Sequence, residues 1–172
     1  MFLVVAVDKE WGIGYRGELL ARVKADLGNF AKLTTGKTVI LGSTTLATFP
    51  GGRVLKNRTN IVLSTRKDYR PEGAVMARSI EDLFEILKCY NSDDVAVIGG
   101  ASIYRQLLPY CDTAYVTFFD ANFPKDTYFP NLDESGEWKL TEKSDTFVSN
   151  PETDFPKEEI KYWFAKYERT NR

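Results

Sequence analysis

The stretch Val-Ala-Val-Ile-Gly-Gly-Ala-Ser at residues 95–102 decides the fold class. Its four apolar, mostly β-branched residues are typical of a buried strand, and the two glycines end that strand. Apolar residues then recur at helical spacing over Ala101–Leu108. A buried strand that turns directly into a helix is the repeating unit of α/β proteins with a parallel sheet.

The same alternation of strand and helix continues on both sides of this stretch. Apolar runs predict strands at Phe2–Val7, Thr38–Leu41, Asn60–Ser64, Ala74–Ala77, Val95–Ile98 and Thr113–Phe119. Helical spacing predicts helices at Val23–Leu33, at Ser43–Thr48, from a Ser79 cap to Lys88, and at Ala101–Leu108. In the helix after Ser79, Asp82 is expected to complete a short capping box.

The C-terminal part of the chain has a different pattern. Trp138–Val148 and Ile160–Glu168 alternate apolar and polar residues, as antiparallel strands with one solvated face do. The 172 residues contain no repeat, low-complexity tract or linker. We therefore predict one α/β domain over residues 1–172, with a mostly parallel central sheet, helices on both faces and an antiparallel C-terminal strand pair.

Composition excludes several classes of function. A formal net charge of −1 gives no general attraction for nucleic acid or anionic membranes, so neither is expected as a partner. The apolar N-terminal run is too short for a signal peptide or a membrane span, so we expect a cytoplasmic protein. Cys89 and Cys111 are predicted to be buried thiols.

The chain contains no histidine, which limits its chemistry. A Ser-His-Asp triad, a Cys-His pair and a histidine-ligated zinc site are all excluded, and no metal is expected. Carboxylates, hydroxyl groups, lysines and tyrosines remain. A bound cofactor with its own reactive carbon fits this set of residues.

Three loops at the carboxyl ends of predicted strands are the first candidates for a ligand site: those after Val7, Leu41 and Ile98. Gly99-Gly100 before a helix, and Gly42 before Ser43-Thr44-Thr45, each bring backbone N–H groups to a helix start, where a phosphate binds readily. Each could equally be a plain strand-to-helix turn. The G-x-G-x-x-G fingerprint is absent.

Asp26 is the candidate acid. The apolar stripe of its predicted helix falls on Val23, Leu27, Phe30 and Ala31, and Asp26 lies on or beside it. Most helix acids face water; in an apolar cleft, however, the pKa of this carboxyl would rise and suit it to proton transfer. Thr117, in the middle of an aromatic strand, is a natural hydrogen-bond partner.

Basic residues form two further groups. The loop over residues 51–58 carries Arg53, Lys56 and Arg58, which are either solvated surface or a site for a ligand carboxylate. A second group could hold a monophosphate. It consists of Ser64, Thr65, Arg66 and Arg78.

In six segments, taken in order over nearly the whole chain, the sequence resembles the dihydrofolate reductase family. They are AVDKEWGIGYRGEL (6–19), D-L-x-x-F (26–30), VILGSTT with LATFPGG (39–52), NRTNIVLS (57–64), VIGGASIYRQLLP (97–109) and AYVTFFDANFPKDTYFP (114–130). The resemblance implies reduction of 7,8-dihydrofolate to tetrahydrofolate by hydride from NADPH, in support of one-carbon and thymidylate metabolism. It also implies a monomer that binds antifolate inhibitors.

The resemblance also assigns roles to residues. Asp26, Thr117 and Leu19 would be the catalytic group, with Asp26 assisting proton delivery to N5 of the pterin. The substrate-binding set would be Val4, Val5, Asp26, Leu27, Phe30, Phe49, Arg53, Leu55, Arg58, Ile98 and Thr117. The cofactor-binding set would be Ala6, Ile13, Gly14, Leu19, Gly42, Ser43, Thr44, Thr45, Ser64, Thr65, Arg66, Arg78, Ile98, Gly99, Gly100, Ala101, Ser102, Ile103 and Tyr104. Residues 15–19 would form a mobile flap, and Gly99–Gly100 a cis peptide.

Three positions depart from the family pattern. Leu20-Ala21 stands where the family usually has Pro-Trp in the flap, Lys24 replaces a proline, and Ser43 replaces a basic residue. Ser43 leaves NADH open as an alternative donor, although Arg66 and Arg78 could bind the 2′-phosphate of NADPH. Two other functions stay open: a pyrimidine or pterin reductase of the same fold, and a non-catalytic pterin- or nucleotide-binding protein.

Overall fold

The computed structural model describes residues 1–170, which divide into two compact units. The first unit contains Met1–Leu3 and Thr34–Tyr110. The second contains Val4–Leu33 and the described residues from Cys111 onward.

Eleven strands and four α-helices make up the two units. The strands are β1 (Phe2–Val7), β2 (Gly12–Gly14), β3 (Thr38–Gly42), β4 (Thr59–Leu63), β5 (Ala74–Ala77), β6 (Val95–Gly99), β7 (Thr113–Phe119), β8 (Thr127–Tyr128), β9 (Trp138–Lys143), β10 (Phe147–Val148) and β11 (Lys161–Arg169). The helices are α1 (Lys24–Thr34), α2 (Ser43–Ala47), α3 (Ile80–Leu87) and α4 (Ala101–Leu107). Short 3₁₀ turns cover Pro50–Gly52, Ser92–Asp94 and Leu108–Tyr110.

The first unit is built on parallel strands in the order β6-β3-β4-β5, and the first two residues of β1 pair with β6. Strands β3 and β6 are almost entirely buried, which explains their continuous apolar sequence. Helices α2, α3 and α4 each bury one leucine: Leu46, Leu83 and Leu107 are at most 1% exposed. Parallel strands place their carboxyl ends, and the loops that follow, at one edge of the sheet.

In the second unit, the strand pairs formed by β11 and the β2–β8 pair are antiparallel. Strand β11 pairs with β7 along seven residues and also with β9 and β10, while β2 and β8 form a separate two-stranded sheet. These findings confirm the predicted α/β class, with a mostly parallel sheet and antiparallel C-terminal strands. Except for the predicted strand Trp138–Val148, the predicted bounds of strands and helices differ from the observed ones by at most about one residue at an end, as such assignments commonly do.

One predicted strand is wrong: Trp138–Val148 is not continuous. It divides into β9 and β10 because Ser144 interrupts the ladder with β11. The Ser144 hydroxyl oxygen accepts a hydrogen bond from the Phe164 N–H at 2.9 Å, so a side chain replaces the backbone acceptor there. Strands β2 and β8 were not predicted, since both are only two or three residues long.

The cysteine prediction is half wrong. Cys111 is buried, but Cys89 is exposed in the turn that follows α3. Within residues 1–170, no helix combines the length and the apolar character needed to cross a bilayer.

Helix α3 begins at the predicted cap, with a different second bond. The Ser79 Oγ accepts from the Asp82 N–H at 3.0 Å, as expected. The Asp82 carboxylate, however, accepts from the Arg78 N–H at 2.8 Å rather than from the N–H of Ser79 itself. Two N–H groups at the helix start are therefore satisfied by two neighbouring side chains.

Replacing Ser79 with alanine is expected to lower the free energy of unfolding by about 1 kcal/mol, because the Asp82 N–H loses its acceptor. Urea unfolding followed by circular dichroism measures the change. A variant as stable as the wild type would show that this cap contributes nothing to stability.

Candidate active site

In the second unit, Asp26 and Thr117 form a hydrogen-bonded pair. Asp26 lies in the first turn of α1, and Thr117 lies in the middle of β7, where it is 4% exposed. The Thr117 hydroxyl donates to the Asp26 Oδ1 at 2.6 Å. Burial raises the pKa of Asp26, and the Thr117 hydrogen bond opposes part of that shift. A half-buried carboxyl with a raised pKa is a candidate for proton transfer to a ligand.

Apolar side chains lie beside this acid on α1. Leu27 is 48% exposed and Phe30, one turn later, is half-buried. Val4 and Val5 of β1, in the same unit, are buried. An exposed leucine next to a half-buried carboxyl reverses the usual placement of these residue types. Such a surface suits a flat ring that has apolar faces and a hydrogen-bonding edge.

The loop after β1 contains the other predicted residues of this unit. Ile13 and Gly14 lie in β2, and Ala6 is in β1 itself. The Arg16 N–H donates to an Asp126 carboxylate oxygen at 3.0 Å, and the Gly14 carbonyl accepts from the Asp126 N–H at 3.0 Å. Leu19 is 47% exposed beyond this contact. The backbone around Gly14 is therefore held while the Leu19 side chain is accessible.

Two of the departures from the family pattern have a structural counterpart here. Ala21 is buried in a cluster that includes Val23, Ile160 and Tyr162. Lys24 has an N–H that donates to the Asp154 Oδ1 at 3.0 Å, a bond that proline could not make. The backbone hydrogen bond from Lys24 is the largest of several effects that lower the pKa of Asp154. Asp154 thus anchors the start of the helix that carries Asp26, although no sequence pattern marks it as a site residue.

In the first unit, two predicted glycine turns lie together. Strands β3 and β6 are parallel neighbours, with Leu41 opposite Gly99, and each runs into a helix. A Cβ on Gly100 would lie 3.2 Å from the Thr45 Oγ1, and one on Gly42 would lie 3.2 Å from Ile103. These two helix starts are therefore close together because their glycines lack side chains.

The remaining residues of these two turns differ in how exposed they are to solvent. The Gly99–Gly100 peptide bond is cis, as the resemblance implies. Neither Gly42 nor Gly100 provides a side-chain cap for the helix it precedes. Thr44 and Ser102 are exposed, Ser43 and Ala101 are half-buried, and Ile98, Ile103 and Tyr104 are buried. Within residues 1–170, no cluster of three or more acidic or cysteine side chains is placed to hold a metal ion.

The predicted monophosphate group lies around one loop of the first unit. The Arg66 N–H donates to the Ser64 hydroxyl at 3.3 Å, and the Arg66 guanidinium stacks on the Tyr69 ring at 4.3 Å. The Arg78 guanidinium donates to the carbonyls of Arg66 and Tyr69. Arg78 thus holds the backbone of the loop in place. The side chains of Thr65 and Arg66, in the same loop, are exposed.

Arg58 is the anchored cation of the loop before β4. Its Nε donates to the Lys56 carbonyl at 2.8 Å and its Nη1 to the Thr34 hydroxyl at 3.0 Å. Burial lowers the pKa of Arg58, although a guanidinium stays charged at neutral pH. Arg53 is exposed in the same loop. The two bonds fix the plane of the Arg58 guanidinium, which is what recognition of a carboxylate requires.

Asn60 organises that loop and was not singled out from the sequence. It is 2% exposed, and its Oδ1 accepts from the Leu55 N–H at 2.9 Å. Its Nδ2 donates to the carbonyls of Leu55 and Arg58 at 2.9 and 3.1 Å. Phe49 and Leu55 are half-buried nearby in the chain. A polar residue at the start of an otherwise apolar strand is the signal that could have identified it.

Comparison with known proteins places these features in one family. The dihydrofolate reductase family model matches residues 1–169. The chain is 34% identical to dihydrofolate reductase of Bacillus subtilis over 168 residues, covering 98% of this chain and 94% of that one. It is 36% identical to the Haemophilus influenzae enzyme over 138 residues, covering 80% and 82%. The structure resembles dihydrofolate reductase from Enterococcus faecalis complexed with NADP(H) and RAB-propyl, with a TM-score of 0.82, 29% identity, and coverage of 99% and 96%.

Proposed function

The chain belongs to the dihydrofolate reductase family, and on that premise we propose that it reduces 7,8-dihydrofolate to tetrahydrofolate with NADPH. The family and the activity expected from the six sequence segments agree with this membership. NADPH, when bound, supplies the hydride. The protein's own residues have to bind and orient the two ligands, exclude water and deliver one proton.

The observation that carries the proposal is the Asp26–Thr117 pair. The Thr117 hydroxyl donates to one oxygen of the Asp26 carboxyl. The other oxygen would bind the hydrogen-bonding edge of the pterin. A carboxyl whose pKa is raised by burial can donate a proton to a ring nitrogen such as N5. Leu27, Phe30, Val4 and Val5 provide the apolar contacts to the ring.

The other predicted site residues keep their proposed roles. Arg58 would bind the glutamate carboxylate of the substrate, with Arg53, Phe49 and Leu55 beside it. Ala6, Ile13 and Gly14 would bind the nicotinamide carboxamide through backbone groups. Ile98 is assigned to both ligands, and Leu19 to the flap.

The glycine turns of the first unit fit a dinucleotide. At Gly42 and Gly100 a side chain would crowd Ile103 or Thr45, so bare backbone borders the space at both helix starts. Backbone N–H groups and the helix dipoles favour an anion there. We assign the pyrophosphate to Gly42–Thr45 and to residues 99–104.

The 2′-phosphate of NADPH is assigned to Ser64, Thr65 and Arg66. Arg78 supports this phosphate site indirectly, because its guanidinium donates to two backbone carbonyls and so fixes the loop that carries Arg66. The basic side chain that Ser43 does not provide is thus supplied from the loop after β4.

Replacing Arg66 with leucine is expected to raise the KM for NADPH about tenfold and to leave the KM for NADH unchanged, because only NADPH carries the 2′-phosphate. Steady-state assays with both donors measure the effect. Arg70→Leu, an exposed arginine of the same loop, is the matched control and should change neither value. Equal loss for both donors would contradict the assignment of Arg66.

The alternative with a specific observation in its favour is a binding protein without turnover, since Ala21 alters the flap. Oxidation of NADPH in the presence of dihydrofolate, followed at 340 nm, separates the two functions. Tight binding of both ligands with no turnover at saturation would favour the binding protein and contradict the proposed reductase.

We further propose that the whole chain is one domain and works as a monomer in the cytoplasm.

A further inference from the structure

A buried ion pair in the second unit joins the loop after β1 to the loop after β7. Asp8 directly follows β1, and its side chain is 0% exposed; the Lys125 side chain is 5% exposed. The Lys125 Nζ lies 2.9 Å from the Asp8 Oδ2. Taking two charges out of water is costly, so a pair this buried needs further hydrogen bonds to be tolerated.

Those hydrogen bonds are present, and all of them end in the same two loops. The Asp8 Oδ1 accepts from the Glu10 and Gly12 N–H groups at 3.0 and 2.9 Å, and the Oδ2 accepts from the Phe123 N–H at 3.1 Å. The Lys125 Nζ also donates to the Glu10 carboxylate at 2.9 Å and to the Phe123 carbonyl at 2.8 Å. The pair therefore fixes the backbone of both loops.

The stem of Lys125 adds a steric constraint at Gly12. A Cβ on Gly12 would collide with the Lys125 Cδ and would lie 2.7 Å from its Cε. Gly12 is the first residue of β2, which also contains Ile13 and Gly14 and pairs with β8. The lysine stem thus lies against the backbone at the point where β2 begins.

Lys125 stays charged in this position. Burial by itself lowers the pKa of Lys125, but the hydrogen bonds and charges of Glu10 and Asp8 outweigh that effect and raise it. The ammonium is therefore present throughout the pH range in which the protein works. The Asp8 carboxylate consequently has a permanent counter-charge.

We propose that Lys125 is a positioning residue for the cofactor: it holds β2 so that the backbone of Ile13 and Gly14 can receive the nicotinamide carboxamide. This inference rests on the proposed function, because it takes the role of Ile13 and Gly14 from there. Lys125 acts on the backbone of Ile13 and Gly14 through its contacts with Asp8 and Gly12, and it does not touch a ligand.

The test replaces Lys125 with methionine, which keeps an unbranched stem and removes the ammonium. In the ligand-free protein, exchange of the Gly12 and Phe123 amide hydrogens should accelerate about tenfold or more, because the Asp8 carboxylate loses its partner. Exchange at Ile61 in the first unit should not change. The Kd for NADPH, measured by fluorescence titration, should rise about tenfold, and the Kd for dihydrofolate should stay within about twofold.

Lys9→Met is the matched control. The Lys9 Nζ lies 3.2 Å from the Asp120 carboxylate and joins the same two loops, but these side chains are 58% and 39% exposed. Exposed ion pairs contribute little, so amide exchange and NADPH affinity should change by less than about twofold.

A second variant tests the steric contact without removing a charge. Gly12→Ala should weaken NADPH binding, because the added Cβ would collide with the Lys125 stem and would lie 3.0 Å from the Asp8 Oδ1. Gly12→Ala keeps both charges, so it decides the question if Lys125→Met fails to fold: an unchanged Kd for NADPH would then overturn the inference.

Unchanged amide exchange at Gly12 and Phe123 in Lys125→Met would overturn the inference. So would faster exchange with an unchanged Kd for NADPH, since the pair would then be purely structural. A wild-type protein that binds NADPH but does not reduce dihydrofolate would contradict the proposed function alone. The exchange and affinity measurements do not depend on turnover.

Discussion

Replacing Asp26 with asparagine is expected to lower the rate of dihydrofolate reduction at pH 7 by about 10²–10⁴-fold, the usual contribution of a general acid. Asparagine keeps an oxygen that can accept from the Thr117 hydroxyl, so the local structure should survive. Only the exchangeable proton of the carboxyl is lost. Single-turnover measurements of NADPH oxidation report the effect directly.

The affinity of the variant for NADPH should stay nearly that of the wild type, because Asp26 is assigned to the pterin. Asp93→Asn, an exposed carboxylate, is the control and should retain full activity. Unchanged turnover in Asp26→Asn would remove Asp26 from the mechanism.

The pH dependence of both proteins follows from the same carboxyl. Burial raises the pKa of Asp26, so the wild-type rate should fall as the pH rises through that pKa and the proton is lost. In Asp26→Asn this fall should disappear. A wild-type rate that increases with pH over this range would contradict proton donation by Asp26.

The Asp26→Asn substitution should affect stability and activity in opposite directions: the rate falls and the free energy of unfolding rises. A folded-state pKa above the unfolded value means that folding favours the protonated carboxyl. That stabilisation is complete below the unfolded pKa and is lost as the pH rises through the folded pKa. Above the folded-state pKa the half-buried carboxylate therefore costs stability, and asparagine should raise the free energy of unfolding there by about 1 kcal/mol. Urea unfolding at pH 7 and at low pH measures this difference.

Replacing Arg58 with leucine is expected to weaken binding of dihydrofolate by about 2–5 kcal/mol, the cost of removing one partner of a charge pair that the bound ligand would bury. The guanidinium is held by Thr34 and the Lys56 carbonyl, so it is oriented before the ligand arrives. Leucine provides neither the charge nor the two donors. Equilibrium titration with dihydrofolate measures the loss.

A pterin without the glutamate tail is the diagnostic ligand. Arg58→Leu should bind it as tightly as the wild type does, since the missing carboxylate is what Arg58 recognises. Arg53→Leu, in the same loop but exposed, should weaken dihydrofolate binding by no more than about 1 kcal/mol. If the wild type binds the two ligands equally well, Arg58 does not recognise the glutamate.

Features that depend on neighbours along the chain were predictable from the sequence alone. A buried parallel strand needs apolar residues on both faces, so β3 and β6 are visible as continuous apolar runs. The Ser79 cap and the glycine turns at Gly42 and Gly100 follow from local backbone requirements. The ordered segments that carry these signals were specific enough to identify the family.

Features that join distant segments were decided only by the tertiary structure. Thr117 and Asp26 are 91 residues apart, and their hydrogen bond depends on how α1 packs against β7. Lys125 gives no sign in the sequence of being buried, because lysine is ordinarily exposed and its partner Asp8 lies far along the chain. Burial and charge pairing between such residues arise from the whole fold and not from any local pattern. For the same reason the raised pKa of Asp26 belongs to the folded protein alone.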